Sequence, residues 1–290
     1  MTNVEGRRTN DAGRRTLGAQ VLAFSIFRLP GKYAALLRRA MGLILEYRAS
    51  IVIWMLTGVM PLVMLAVWYA LAESGPIAGY AQNDFVAYYL MLTLVRQLTN
   101  VWVIWELDYE IRHGDLSVKL LHPINPIHEY IATHLADKVF RLWILVPLAL
   151  LAWWLFPDLH YDVMPLTLTL WLAALVVAWL LRFLSQYCFG ILAFWISQAL
   201  TLNEMWFAGM LMLGGVVAPL DLFPAPVAQV ANYLPFRFML SFPVEILLGR
   251  LSASDVIVGT LTMLAWLAFF LMLYRWLWSK GIRQFGAFGA

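Results

Sequence analysis

Apolar residues run almost unbroken through six stretches of this chain, at about 51–72, 85–105, 139–156, 163–197, 205–218 and 256–278. Long runs of this kind predict helices that cross roughly 30 Å of hydrocarbon. The fourth is too long for one upright helix and reads as a single long, tilted or broken span rather than two. The fifth is shorter, and Pro147 predicts a mild kink in the third. Ahead of the first run the pattern changes. Tyr33, Leu36, Leu37, Ala40, Met41, Ile44 and Tyr47 recur at helical spacing, with Arg38, Arg39 and Glu46 on the other face. That pattern predicts an amphipathic helix lying along the membrane surface. Residues 1–30 read as a polar tail with a weak apolar patch. The run from Val21 to Phe27 is too short for a cleaved signal peptide and ends in Arg28-Leu29-Pro30.

Between the fifth and sixth runs the chain is apolar and aromatic yet repeatedly interrupted by Pro219, Pro224, Pro226, Pro235 and Pro243. Proline-broken apolar chain sits at membrane depth only where protein covers it or it lines a cavity. The expectation is a re-entrant outer hairpin of short helices acting as a gate. Its candidate residues are Pro219, Asp221, Phe223, Pro224, Pro235, Arg237, Pro243 and Glu245. The fold class is therefore all-α integral membrane: a polar tail over 1–30, then one transmembrane domain over 31–290 with six transmembrane helices.

Composition removes the soluble class, since 62% of residues are hydrophobic and 13% charged, against about 25% charged in soluble domains. The positions of the positive charges give the orientation. Nine of the twenty lysines and arginines lie in 1–48; Arg112, Lys119, Lys138 and Arg141 lie between the second and third runs; Arg275, Lys280 and Arg283 close the chain. Six crossings put all sixteen on one side, the cytoplasm, with both termini there. The other side shows Glu73, Asp84, Asp158, Asp162, Asp221, Glu245 and Asp255, with Arg237 and Arg250 as its bases. A net charge of +3 gives no reason to expect nucleic acid as a partner. Cys188 is the only cysteine, which excludes an intramolecular disulfide and a cysteine-based metal site.

Chemistry concentrates in the loop from Glu106 to Lys138, which holds four of the five histidines. Within it Glu110-Ile111-Arg112-His113-Gly114-Asp115-Leu116 predicts a helix that stops near Gly114, restarts at Leu116 and ends before Pro123. Charges flanking Leu116, Leu120 and Leu121 suit docking into a cytoplasmic partner, and a solvated connector is the plainer reading. His113, His122, His128 and His134 are not spaced as a metal-ligand set. Two arginines fall inside spans, where charge is costly and marks a candidate site. Tyr89, Thr93, Arg96 and Asn100 share one helical face, as do Arg182, Ser185 and Gln186. Thr93, Arg96, Asn100, Arg182 and Gln186 are thus candidates for a path taken by an anionic or amphipathic substrate. The competing reading satisfies both arginines structurally. No phosphate-loop, nucleophile-elbow or H-E-x-x-H motif occurs, so ATP splitting of the phosphate-loop kind needs a second polypeptide.

Over about residues 33–290 the chain resembles the membrane subunit of an ABC transporter of the ABC-2 exporter type. The surface helix before the first span carries part of the likeness. Glu110 to Leu116 is similar to the family's E-x-R-x-G-x-L coupling segment, and Gly214 to Pro224 to its small-residue turn into outer helices. Leu234-Pro235-Phe236-Arg237, Phe242 to Gly249 and the glycine-rich tail Gly281 to Gly289 resemble a branch of uncharacterised ABC-2 permeases. His113-Gly114-Asp115 departs from the many relatives that have a small or hydroxyl residue after the glycine. The resemblance implies a bacterial inner-membrane permease that binds no cofactor itself. It rests on separate ABC ATPase subunits that hold ATP and Mg, pairs with a second permease, identical or paralogous, and is surrounded by membrane lipids. Glu110, Arg112, His113, Gly114, Asp115 and Leu116 become the coupling residues, and the cargo is expected to be amphipathic, peptide-like or lipid-linked. Two other classes stay open on the residues themselves. A secondary transporter or channel calls for carboxylates inside the spans, and a membrane enzyme calls for chemistry at His122, His128 or His134.

Overall fold

In the computed structural model, which describes residues 29–46, 48–56, 58–157 and 159–288, the apolar runs become helices and the polar punctuation decides where they break. The tail, apart from Leu29 and Pro30, lies outside the described residues, as do Tyr47, Asp158 and Gly289. Thirteen α-helices are described: α1 (Leu29–Glu46), α2 (Arg48–Leu56), α3 (Met60–Leu71), α4 (Gln82–Leu98), α5 (Val103–His113), α6 (Leu116–Leu120), α7 (Ile127–Leu155), α8 (Pro165–Ile191), α9 (Ala199–Leu213), α10 (Ala225–Ala231), α11 (Pro235–Met239), α12 (Ser241–Leu247) and α13 (Ala253–Phe288). Among the described residues the β pairing is one isolated bridge, Ile77 to Tyr80.

Three helical stretches are long and apolar enough to cross a membrane by length and composition: Ile51–Ser74, Pro165–Phe194 and Ala253–Phe285. α8 sits at the centre, packed against α13, α5, α12, α11 and α9. Phe183, Tyr187 and Ile191 of α8 are wholly buried. The outer surface is the reverse of a soluble protein. On α7, Trp143 is 80% and Trp154 76% exposed, along with Val146, Leu150 and Leu151, which in water would form an aggregating patch and in lipid is simply solvated.

Several boundaries differ from those the hydrophobic pattern predicts. The run at 85–105 is not one helix. α4 stops at Leu98, where Thr99 Oγ1 turns back on the Val95 carbonyl at 2.8 Å. The chain restarts at α5 because α7 takes up the freed backbone: Lys138 Nζ donates to the Asn100 carbonyl, and the Trp102 N–H donates to His134 Nε2 at 3.2 Å. The first run is likewise broken around Gly58, ahead of Pro61. There Gln97 Nε2 donates to the Met55 carbonyl at 3.0 Å and Arg96 Nη1 to the Gly58 carbonyl at 3.5 Å. A side chain on Gly58 would meet Gln97 Nε2 at 2.8 Å, so glycine is what admits this amide. The 163–197 stretch is one helix, α8, continued by a 3₁₀ turn at Leu192–Phe194. The fifth helix is shifted to Ala199–Leu213, since Gly214 and Gly215 end it before Ala218.

The amphipathic helix forms as α1, but part of its apolar face is spent on protein: Ala40 and Ile44 pack with Ala136 of α7. The outer segment holds three short helices rather than a pair. α10 is largely exposed, whereas α11 and α12 are buried almost throughout, meeting the requirement that broken chain be covered. Pro226 and Pro235 sit in first turns, where no N–H is needed.

Candidate functional site

The segment from Glu106 to Pro123 owes its shape to Gly114. At φ +83° it caps α5 in the left-handed region, where a side chain is penalised, and α6 restarts two residues later. The bend brings residues far apart in sequence onto one carboxylate. Lys119 Nζ donates to Glu110 Oε1 at 2.7 Å, and the Tyr130 hydroxyl donates to Glu110 Oε2 at 2.5 Å. The same ammonium lies 3.9 Å from the Tyr130 ring centroid. Burial, together with the Glu110 carboxylate, holds the Tyr130 phenol far above its ordinary range.

Arg112 forms a second tie. Its Nε and Nη2 donate to Asp108 Oδ2 and Oδ1 at 2.8 and 2.9 Å, and Nη2 also donates to the Ser197 carbonyl at 2.7 Å, in the turn that leads into α9. Glu110 and Arg112 therefore face their own fold. The surface open to a partner is made by His113, stacked on Tyr109 at 4.0 Å between ring centroids, with Asp115, Val118 and Leu121. The predicted stripe of three leucines is divided. Leu116 is wholly buried and Leu120 packs on the core, while Leu121 is 85% exposed. A five-residue helix turns those side chains to different sides.

The candidate path residues meet inside the bundle in part, and Thr93 stays on its own helix. Thr93 Oγ1 donates to the Tyr89 carbonyl of its own helix at 2.7 Å. Arg182, 3% exposed, donates through Nη1 to Thr99 Oγ1 at 2.9 Å and to the Arg96 carbonyl at 3.4 Å. Its Nε, with Gln186 Oε1 and Asn203 Oδ1, has no protein partner. All three residues border a cavity of about 10 Å³, the size of one water. Within one chain these groups thus form a packed polar layer, not an open channel. Asn100 joins it through its carbonyl, beneath Lys138. Asp137 belongs to the same layer and was not singled out from sequence. It is wholly buried and accepts from Arg141 Nε at 2.7 Å and Lys138 Nζ at 2.8 Å, while Arg141 Nη1 donates to Gln97 Oε1 at 2.6 Å. Its only signal in sequence was an Asp-Lys pair with arginine one turn on, which also describes an ordinary loop.

The outer residues converge in part. A tight turn places Tyr80: Ala78 and Gly79 take φ of +47° and +80°, and Ile77 and Tyr80 exchange backbone hydrogen bonds. The Tyr80 hydroxyl donates to Asp221 Oδ2 at 3.0 Å, and the Arg250 guanidinium lies 3.6 Å from its ring centroid while pairing with Asp84 at 3.2 Å. Arg237 Nη2 donates to Glu245 Oε2 at 2.5 Å. Trp68 Nε1 and the Tyr89 hydroxyl both donate to the Val217 carbonyl, at 2.8 and 3.0 Å, and the Tyr88 hydroxyl to that of Gly215 at 2.9 Å. Pro219 and Pro224 precede short helical turns, Phe223 lies between them, and Pro243 lies inside α12.

The histidines occupy separate settings. His122 pairs with Glu129 at 2.7 Å, His128 bonds to the Tyr33 hydroxyl, and His134 is buried with both nitrogens engaged. Among the described residues no group of three or more histidines, cysteines or carboxylates is placed to hold a metal ion.

No curated protein matches the chain. Residues 53–289 match the family model described as ABC-2 family transporter protein, a span that takes in the polar layer, the bend at Gly114 and the buried outer helices. The chain belongs to the ABC-2 family of transporter proteins and is a multi-pass membrane permease.

Proposed function

We propose that the chain is the membrane-spanning subunit of an ATP-driven exporter in the bacterial inner membrane. It crosses six times, with both termini in the cytoplasm, and moves an amphipathic or lipid-linked substrate outward. ATP and Mg are held by a separate ABC ATPase subunit, and a second permease, identical or paralogous, completes the assembly. The charge asymmetry and the exposed apolar band on α7 support this topology.

The observation that carries the reading is the double anchorage of the segment from Glu106 to Pro123. Glu110 ties it to α7 through Tyr130, and Arg112 ties it to the turn at Ser197. A push on its exposed face reaches the helix that holds the third predicted span and the turn between α8 and α9, as a transmission element requires. The test uses the permease co-reconstituted with its ATPase in liposomes. Val118→Asp with Leu121→Asp is expected to abolish co-purification of the two subunits. Glu110→Ala with Arg112→Ala is expected to leave them associated while removing the permease's effect on ATP turnover. Normal assembly in the first case, or normal stimulation in the second, refutes the assigned role.

A further inference from the structure

Between α1 and the Glu106–Pro123 segment lies a cavity of about 540 Å³, within the range of small-ligand sites. Its walls divide by chemistry. Leu36 and Leu43 of α1 and the rings of Trp105 and Tyr109 make one apolar and aromatic side. Trp105 is 44% and Tyr109 55% exposed, and His113 stacks on the Tyr109 ring, so aromatic surface borders the recess. The charged side is unevenly paired. Glu110 is satisfied by Lys119 and Tyr130, and Glu129 by His122. Glu106 accepts a hydrogen bond from Trp102 Nε1 at 2.9 Å but, among the described residues, meets no cation within ion-pair distance. Burial pushes its carboxyl above the ordinary range, against the opposing pull of the Trp102 hydrogen bond and of Lys119, whose ammonium is itself bonded to Glu110. Arg39, exposed across the recess on α1, has no carboxylate within ion-pair distance among the described residues either.

An unmatched carboxylate and an unmatched guanidinium on different helices of one recess, beside aromatic surface, complement a headgroup that carries both an ammonium and a phosphate. We propose that this cavity binds the headgroup of an amine-bearing zwitterionic phospholipid of the phosphatidylethanolamine type. Its ammonium sits on Glu106 and its phosphate toward Arg39, with the acyl chains leaving along Leu36 and Leu43. The site rests on reading α1 as a helix at the membrane surface. Its test needs no ATPase, so it fails or succeeds separately from the exporter reading. A lipid so held joins α1 to α5 and makes the surrounding leaflet part of the segment's support.

The experiment is native mass spectrometry of the full-length permease released from mixed micelles that hold equal amounts of phosphatidylethanolamine and phosphatidylglycerol with identical acyl chains. The wild type is expected to retain phosphatidylethanolamine about tenfold over phosphatidylglycerol, the scale of one charge-assisted hydrogen bond. Glu106→Gln, which keeps an acceptor for Trp102, is expected to bring that ratio to within about twofold of unity, and Arg39→Gln to lower retention of both lipids. Equal retention by the wild type overturns the proposal without recourse to any variant. So does a preference that survives Glu106→Gln.

Discussion

His134 gives the sharpest prediction, because its protonation state is set by geometry. It lies in the N-terminal part of α7, ahead of the predicted third span, and is wholly buried. Its Nδ1 is 2.8 Å from the Tyr130 carbonyl, which requires a proton on Nδ1, and its Nε2 accepts from the Trp102 N–H. A second proton on Nε2 would face another donor. Burial, with Lys138 adding to it, lowers the imidazole from 6.5 to about 3. The folded value lies below the unfolded one, so the stabilisation is complete above about pH 6.5 and is lost as pH falls toward 3. At pH 5 the loss amounts to about 2 kcal/mol, from roughly 1.4 kcal/mol per pH unit. Glu106 acts in the opposite sense: its raised carboxyl favours the folded state as acid protonates it. Lys138, lowered to about 8, loses its contribution as pH falls from about 10.5 through 8, and its slope has faded by about pH 7. The His134 effect is therefore read as a difference. His134→Gln keeps one donor and one acceptor but does not titrate. Thermal unfolding of both proteins in detergent from pH 8 to 5 is expected to show the wild type losing about 2 kcal/mol more than the variant. Parallel curves refute the assignment.

Two glycines at similar φ are expected to behave differently. Gly114→Ala meets nothing within 4 Å, so it should cost only the left-handed penalty of about 1–2 kcal/mol, read by thermal unfolding. A Cβ on Gly215 would meet the Tyr88 hydroxyl at 2.4 Å and Ser241 Cβ at 2.7 Å. Gly215→Ala should therefore add overpacking of about 1–3 kcal/mol to that penalty, checked by the monodisperse yield in detergent. Asp137→Asn strands Lys138 and Arg141 in the interior and should destabilise by about 3–5 kcal/mol, again by thermal unfolding.

The helix stop at Gly114 was legible because left-handed caps are written locally, in glycine and its neighbours. The burial of the outer segment followed from proline and apolar side chains together. The break between α4 and α5 was not legible. Asn100-Val101-Trp102-Val103 contains neither proline nor glycine, and the groups that satisfy its backbone, Lys138 and His134, come from another helix. Asp137 escaped notice for the same reason, since only its partners distinguish it from a loop aspartate. Arg96 and Arg182 were found as charges in apolar sequence. Their role as donors to a carbonyl at a broken helix and to a threonine hydroxyl depends on packing across three helices.

The polar layer has a consequence for what the bundle keeps out. Arg96, Arg182, Lys138 and Arg141 interact through one contiguous set of groups, with Asp137 as the carboxylate among them. An excess of fixed positive charge in a poorly screened interior repels protons and metal cations, as arginine constrictions do in selective pores. Any parting of the helices at this level would therefore present fixed positive charge to an entering cation.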